Sequence, residues 1–282
     1  MIGGYLASLG IGFSLAWGVM GIINRAHGAL IMLGAYVTFW LFARFRVDPF
    51  LSIPITMLVL FVFGYLLQRY VINLIMKTAQ TMSLVLTWGI DMLIVNAVLL
   101  AFTANFRSVN PTYAGKYLSI GTLTIPYVRL GVLVVAIALT FALWAFMWKT
   151  KTGKAILATA FDKEAASLLG VDIRQIYAVT LGISAAMAGA AGALTSTVYA
   201  FTPTLGALLI SQAFVVTVLG GLGDMRGIIL CGLFLGLAES IGVTLIGPEQ
   251  QTAIDVVILI AVLLVRPQGI LGKKYFETKR MA

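Results

Sequence analysis

Nine apolar runs follow one another along the 282-residue chain, at 4–23, 28–43, 50–67, 82–103, 129–148, 176–199, 207–222, 227–246 and 251–265. Crossing ~30 Å of hydrocarbon takes about 20 helical residues, and a helical bundle satisfies its backbone polar groups where water is absent. With 61% hydrophobic residues, 10% charged and a mean hydropathy of +1.03, the chain has too much apolar surface for one soluble core. The expectation is an all-α polytopic membrane protein with eight or nine transmembrane helices. The second, seventh and ninth runs are short for a full crossing, which points to tilted, broken or re-entrant pieces. Met1 to Leu6 carries no basic stretch ahead of the first run, so that run is expected to be retained rather than cleaved.

A net charge of +9 does not indicate nucleic acid, because the basic residues sit in short connections rather than along one face. They indicate orientation, since positive loops stay cytoplasmic. Lys149, Lys151, Lys154, Lys163 and Arg174 place the 149–175 connection inside, and Arg266, Lys273, Lys274, Lys279 and Arg280 place the C-terminus inside. Alternation then puts 66–81 (Arg69, Lys77) and 223–226 (Arg226) inside, and 104–128, 200–206 and 247–250 outside; Arg44 and Arg46 fall outside, against the trend. The single Cys231 excludes an intramolecular disulfide, and one His with one Cys excludes a His/Cys metal cluster.

The longest outer segment, NPTYAGKYLSIGTLTIPYVR, alternates polar and apolar residues around Gly121-Thr122 and reads as an extracytoplasmic β-hairpin. It either fills a gap between spans or helps seat an external partner. Residues 28–37, GALIMLGAYV, align without gaps on 206–215, GALLISQAFV. Five crossings apart, the two would run in opposite directions, the parity of an inverted repeat with halves 1–128 and 149–265 inside a single domain of 1–282. A polar break precedes each match: Asn24-Arg25-Ala26-His27 and Thr202-Pro203-Thr204.

The most informative connection is TKTGKAILATAFDKEAASLLGVDIRQIYAVTLGISAAMAGAAG. Asp162 suits the N-cap of a short helix ending at Ser167 to Leu169, and Gly170 suits its left-handed stop. Such a helix, about 12 Å long, would offer Ala165, Ala166, Leu168 and Leu169 fringed by Asp162, Lys163 and Glu164 to a groove on a partner. Asp172 would cap the next helix. The run GISAAMAGAAGAL places Gly182, Ala186 and Ala190 on one stripe and Ala185, Gly189 and Ala193 beside it, suited to close helix packing.

Glu164-Ala165-Ala166 followed by Gly170 resembles the EAA motif of ATP-binding-cassette importer permeases. Together with GIINRAHGALIMLGAYV, TGKAILATAFDKEAASLLGVD, AGAAGAL, VLGGLGDMRG and VRPQGILG, it is similar, over nearly the whole chain, to the permease family of branched-chain amino acid importers. One departure stands out: the general motif continues with an Ile-x-Leu-Pro run where this chain has Thr180-Leu181-Gly182-Ile183. The resemblance implies a bacterial inner-membrane permease moving branched-chain or apolar amino acids, or small solutes such as urea and amides, by alternating access. It implies a second similar permease as homodimer or heterodimer, two cytoplasmic ATP-binding subunits and an extracytoplasmic solute-binding protein. Asp162, Glu164, Ala165, Ala166, Leu168, Leu169 and Gly170 would couple to the ATPase. No G-x-x-x-x-G-K-[ST] loop is present, so no cofactor is expected on this chain and ATP with Mg would sit on the partners; no catalytic residue is expected either.

Polar residues within spans are expensive and face a cavity or each other. Asp91, Asn96, Gln212, Glu239 and Asp255 qualify, and each either ties helices together or lines a path; Asp224 and Arg226 brace a cytoplasmic turn. Asn24, Arg25 and His27, with Thr202 and Pro203, suit a gate, while Arg25 can alternatively reach the headgroups and His27 can simply bond a neighbouring carbonyl. The rival function is an ion-coupled secondary transporter with Asp91, Glu239 or Asp255 at the ion site.

Overall fold

The computed structural model describes residues 2–75, 80–120, 123–247, 250–266 and 269–270. Eight of its helices are long and apolar enough to cross a membrane, and a shorter apolar helix follows them; all nine apolar runs are helical. In order they are α1 (Ile2–Met20), α2 (His27–Phe45), α3 (Pro49–Leu67), α4 (Asn73–Ile75), α5 (Gln80–Phe102), α6 (Tyr127–Lys149), α7 (Lys151–Phe161), α8 (Lys163–Leu168), α9 (Ile173–Val198), α10 (Gly206–Gly220), α11 (Met225–Ile246) and α12 (Gln251–Val265). A π-helical turn, Gln68–Ile72, carries α3 into α4. The position of Lys77, the proposed turn at Gly121-Thr122 and the basic tail from Lys273 to Arg280 lie outside the described residues.

Two helices make the core. α1 and α9 are buried along nearly their whole length, and both are rich in Gly, Ala and Ser. Inside a bilayer there is no hydrophobic drive between helices, so close van der Waals approach must supply the association. The small residues of α9 permit it. Gly182 and Gly189 lie against Phe61 and Leu60 of α3, and a Cβ on Gly64 would stand 2.5 Å from that of Ala185. Side-chain hydroxyls add ties from helix to helix: Ser184 Oγ donates to the Gly12 carbonyl at 2.7 Å and Thr217 Oγ1 to the Gly10 carbonyl at 3.1 Å.

The neighbours of these helices are matched. α1 packs on α10 and α11 as α9 packs on α2 and α3; α2 adjoins α3 and α5 as α10 adjoins α11 and α12. Along α1, residue 5 meets Thr195, residue 12 meets Ser184 and Gly18 meets Gly223. The start of α9, the end of α1 and the start of α11 therefore share one end of the bundle. Ile270, whose N–H donates to the Leu219 carbonyl at 2.7 Å, lies at that end too.

At the opposite end, Asp48 caps α3 by accepting from Phe50 N at 2.9 Å, and Tyr113 Oη donates to the same Asp48 oxygen at 3.1 Å. Burial and the Asp48 carboxylate hold the Tyr113 phenol above its ordinary pKa range. Tyr117–Ile120 and Leu123–Pro126 pair antiparallel in the register Tyr117 to Pro126. Arg107 and Phe201 exchange backbone hydrogen bonds of 2.9 and 2.8 Å, so the loop after α5 is stitched to the chain between α9 and α10.

Candidate functional site

The two polar breaks seen in the sequence are real interruptions. After α1 the chain runs through 21–26 without regular helix, and α2 begins only at His27. His27 is fully buried and lies beside Gly12 and Phe13, its ring centroid 5.4 Å from that of Phe13. That is the middle of α1, so the chain has turned back into the bundle before α2 starts. The second break behaves alike: α9 ends at Val198, and a 3-10 turn, Pro203–Leu205, leads into α10. The starts of α2 and α10 then meet. A Cβ on Gly28 would strike the Gly206 carbonyl oxygen, and one on Gly206 would lie 2.9 Å from the Gly28 carbonyl oxygen. Only glycine at both positions lets the backbones approach so closely.

Polar groups gather at the first break. Asn24 is buried; its Oδ1 accepts from Ala26 N at 3.1 Å, its backbone carbonyl from His27 N at 3.2 Å, and its Nδ2 has no partner among the described residues. Neither ring nitrogen of His27 has a hydrogen-bond partner among the described residues, so the expected bond to a neighbouring carbonyl is not made. Arg25 N donates to Thr87 Oγ1 at 3.2 Å, which brings α5 to the break, with Asp91 one turn further along α5. At the second break Thr202 and Thr204 hydroxyls bond at 3.0 Å and Pro203 is buried.

The other intramembrane polar residues divide. Glu239 on α11 and Asp255 on α12 are both buried; Gln251 Nε2 donates to Glu239 Oε2 at 2.8 Å, and neither Asp255 carboxylate oxygen has a hydrogen-bond partner among the described residues. The Gln251–Glu239 bond clasps α12 to α11. Gln212 is buried on α10. Asn96 is exposed and donates to the carbonyl of Met92 in its own helix at 2.8 Å, so it is tied locally rather than to another helix.

The 149–175 connection folds as two short helices. Thr150 caps α7 by accepting from Gly153 N at 3.0 Å, and α7 packs Ile156 and Thr159 inward against α1, α6 and α9. The sequence reasoning missed α7; the available signal was Thr150 followed by inward-facing Gly153, Ile156 and Thr159, a spacing of three. Asp162 caps α8, its Oδ1 accepting from Glu164 N at 2.9 Å and Ala165 N at 3.2 Å. Gly170 ends it at φ +84°, with Gly170 N donating to Ser167 O and Val171 N to Ala166 O, the paired closure of a left-handed C-cap. Asp172 at once caps α9, accepting from Arg174 N at 3.0 Å.

Leu168 is 89% exposed and Leu169 84% exposed. Glu164 and Ala165 are exposed beside them, and so is Phe161 at the end of α7. Ala166 differs from expectation: it is 2% exposed, turned onto the protein, and its methyl cannot meet a docking partner. Among the described residues no group of three or more His, Cys, Asp or Glu is placed to hold a metal ion.

The family model for the branched-chain amino acid transport system permease component matches residues 2–266. The chain is 31% identical over 289 residues to the high-affinity branched-chain amino acid transport system permease protein BraD of Pseudomonas aeruginosa, covering 98% of this chain and 94% of that one. It is 28% identical over 290 residues to LivH of Escherichia coli, with the same coverage. To the probable branched-chain amino acid transport permease protein LivH of Methanocaldococcus jannaschii it is 26% identical over 288 residues, 98% of this chain and 91% of that one. No solved structure gives a significant match.

Proposed function

The chain belongs to the family of permease components of branched-chain amino acid transport systems, and from that premise we propose that it carries branched-chain or similarly apolar amino acids through the membrane for an ATP-driven importer. The partners in this reading are a second permease, two cytoplasmic ATP-binding subunits that hold ATP and Mg, and an extracytoplasmic binding protein. The observation that carries it is α8, a rigid six-residue helix capped at both ends that leaves Leu168 and Leu169 uncovered. An apolar pair exposed beside basic residues outside the lipid stays uncovered only in the isolated chain.

In this reading the end of the bundle bearing α7, α8 and Ile270 is cytoplasmic, which places Lys149, Lys151, Lys154, Lys163, Arg174 and Arg226 there under the positive-inside rule. The paired strands and the Arg107 stitch are then external, where a binding protein docks. α8 passes directly into α9 through Gly170 and Asp172, with no slack between two capped helices. α9 is the most buried helix, and its far end leads into the break before Gly206. A push on α8 is transmitted along α9 to the point where α2 and α10 meet. The matched neighbours of α1 and α9, and the meeting of Gly28 with Gly206 at the start of the two echoed segments, support an inverted repeat with its axis near that contact. The broken helix starts at its centre are where a path is built in such folds.

The test is reconstitution of the complete importer in proteoliposomes with its binding protein. Uptake of labelled leucine is expected to require ATP on the side of the ATP-binding subunits and to survive ionophores. Uptake that follows a proton or sodium gradient without ATP would overturn the proposal.

A further inference from the structure

α6 and α11 both pack on α1 but make almost no contact with each other, and the gap between them is a cleft of about 370 Å³ open along the flank of the bundle. Its floor is Gly4 and Ala7 of α1 with Ala136 of α6, residues too small to fill it. The walls are apolar: Ile137, Phe141 and Trp144 on α6 face Ile229 and Leu233 on α11. Arg226, at the start of α11, is the charged residue of the lining, with Trp144 near the end of α6; the lining itself is almost wholly apolar, so Arg226 meets the cleft through its aliphatic stem. Arg226 is exposed; its backbone N–H donates to Asp224 Oδ1 at 3.0 Å, and its guanidinium has no partner among the described residues.

We propose that this cleft is a phospholipid site, one acyl chain lying between α6 and α11 and the phosphate of an anionic headgroup held by Arg226. The cleft lies within the span-forming lengths of both helices, so what reaches it is hydrocarbon, and an apolar slot left empty forfeits the contacts of its whole lining. A helix cannot fill it: a helix is about 10 Å across with side chains, and the small residues that let helices approach are at the floor, behind the exposed Ile137, Phe141 and Leu233. A flexible chain end fits where a helix does not. A guanidinium at the loop end of a groove suits a phosphate oxygen pair, and basic residues between spans favour anionic lipid headgroups. Trp144 in the same lining is the residue type that settles at the headgroup boundary. Because α6 runs into α7 and α8 through Thr150, a lipid wedged here sets where the base of that connection sits.

The experiment purifies the complete importer from membranes of equal phosphatidylglycerol and phosphatidylcholine and measures retained lipid by mass spectrometry. The native complex is expected to retain phosphatidylglycerol above its bulk share. Arg226→Gln is expected to lose about fivefold of that enrichment while still retaining lipid, and Ala136→Leu, which fills the cleft, to lose retained lipid of both kinds. Assembly of each variant is checked by size-exclusion chromatography, and in a variant that fails to assemble Ile137→Trp replaces Ala136→Leu. Unchanged enrichment in Arg226→Gln, no lipid retained above bulk, or cross-linking of Ile137→Cys to the second permease would each overturn the proposal.

Discussion

Glycine at 28 and glycine at 206 decide how closely the two broken helices can meet. Gly206→Val puts two methyl groups against the Gly28 carbonyl, and overpacking of this kind costs about 1–3 kcal/mol. The expected result is an importer with a lowered thermal midpoint and reduced uptake, while Gly115→Val, at a position with open space around it, leaves both unchanged. The clasp of Gln251 on Glu239 makes a second expectation. Glu239→Leu removes the acceptor of Gln251, and leaving that amide donor unpaired between the helices costs about 1–3 kcal/mol. Glu239→Gln keeps a hydrogen-bonding group there and is expected to assemble normally. Detergent-resistant yield of the complex reads the difference; equal yields would show the clasp to be dispensable.

A six-residue helix is too short for its periodicity to say which face is buried, and α8 shows the consequence. Its boundaries were legible, because Asp162, Gly170 and Asp172 each do one local job that needs no neighbour. That Ala166 faces inward was not, since it depends on how α8 settles against its neighbours α7 and α9. Two substitutions separate these roles. Leu169→Asp alters only the exposed face and is expected to abolish ATP-driven uptake with insertion intact. Ala166→Arg forces a charge into a closed contact and is expected to lower assembly itself, measured as the amount of chain recovered with its partners. The long helices were legible for a plainer reason: each is a nearly unbroken apolar run, and hydrocarbon demands little else. Asn96 resisted, since whether an amide bonds its own helix or another depends on rotation of the helix.

At the scale of the whole molecule, α1 packs on α10 and α11 as α9 packs on α2 and α3, and α6 leads to the 149–175 connection. The ten-residue echo between 28–37 and 206–215 was visible in the sequence; that its two first residues touch is a property of the packing alone. α8, α9 and the Gly28 to Gly206 contact form one continuous line from the exposed leucines to the broken helix starts. In the proposed reading, motion driven by the ATP-binding subunits enters at the exposed end of that line. Cys231 is buried, so a cysteine introduced at position 169 is the reactive thiol to follow. In the assembled importer Leu169→Cys is expected to cross-link to an ATP-binding subunit with a yield that changes between nucleotide-free and ATP-bound states. No cross-link in either state, with uptake still driven by ATP, would contradict the assignment of α8 as the point where the motor takes hold.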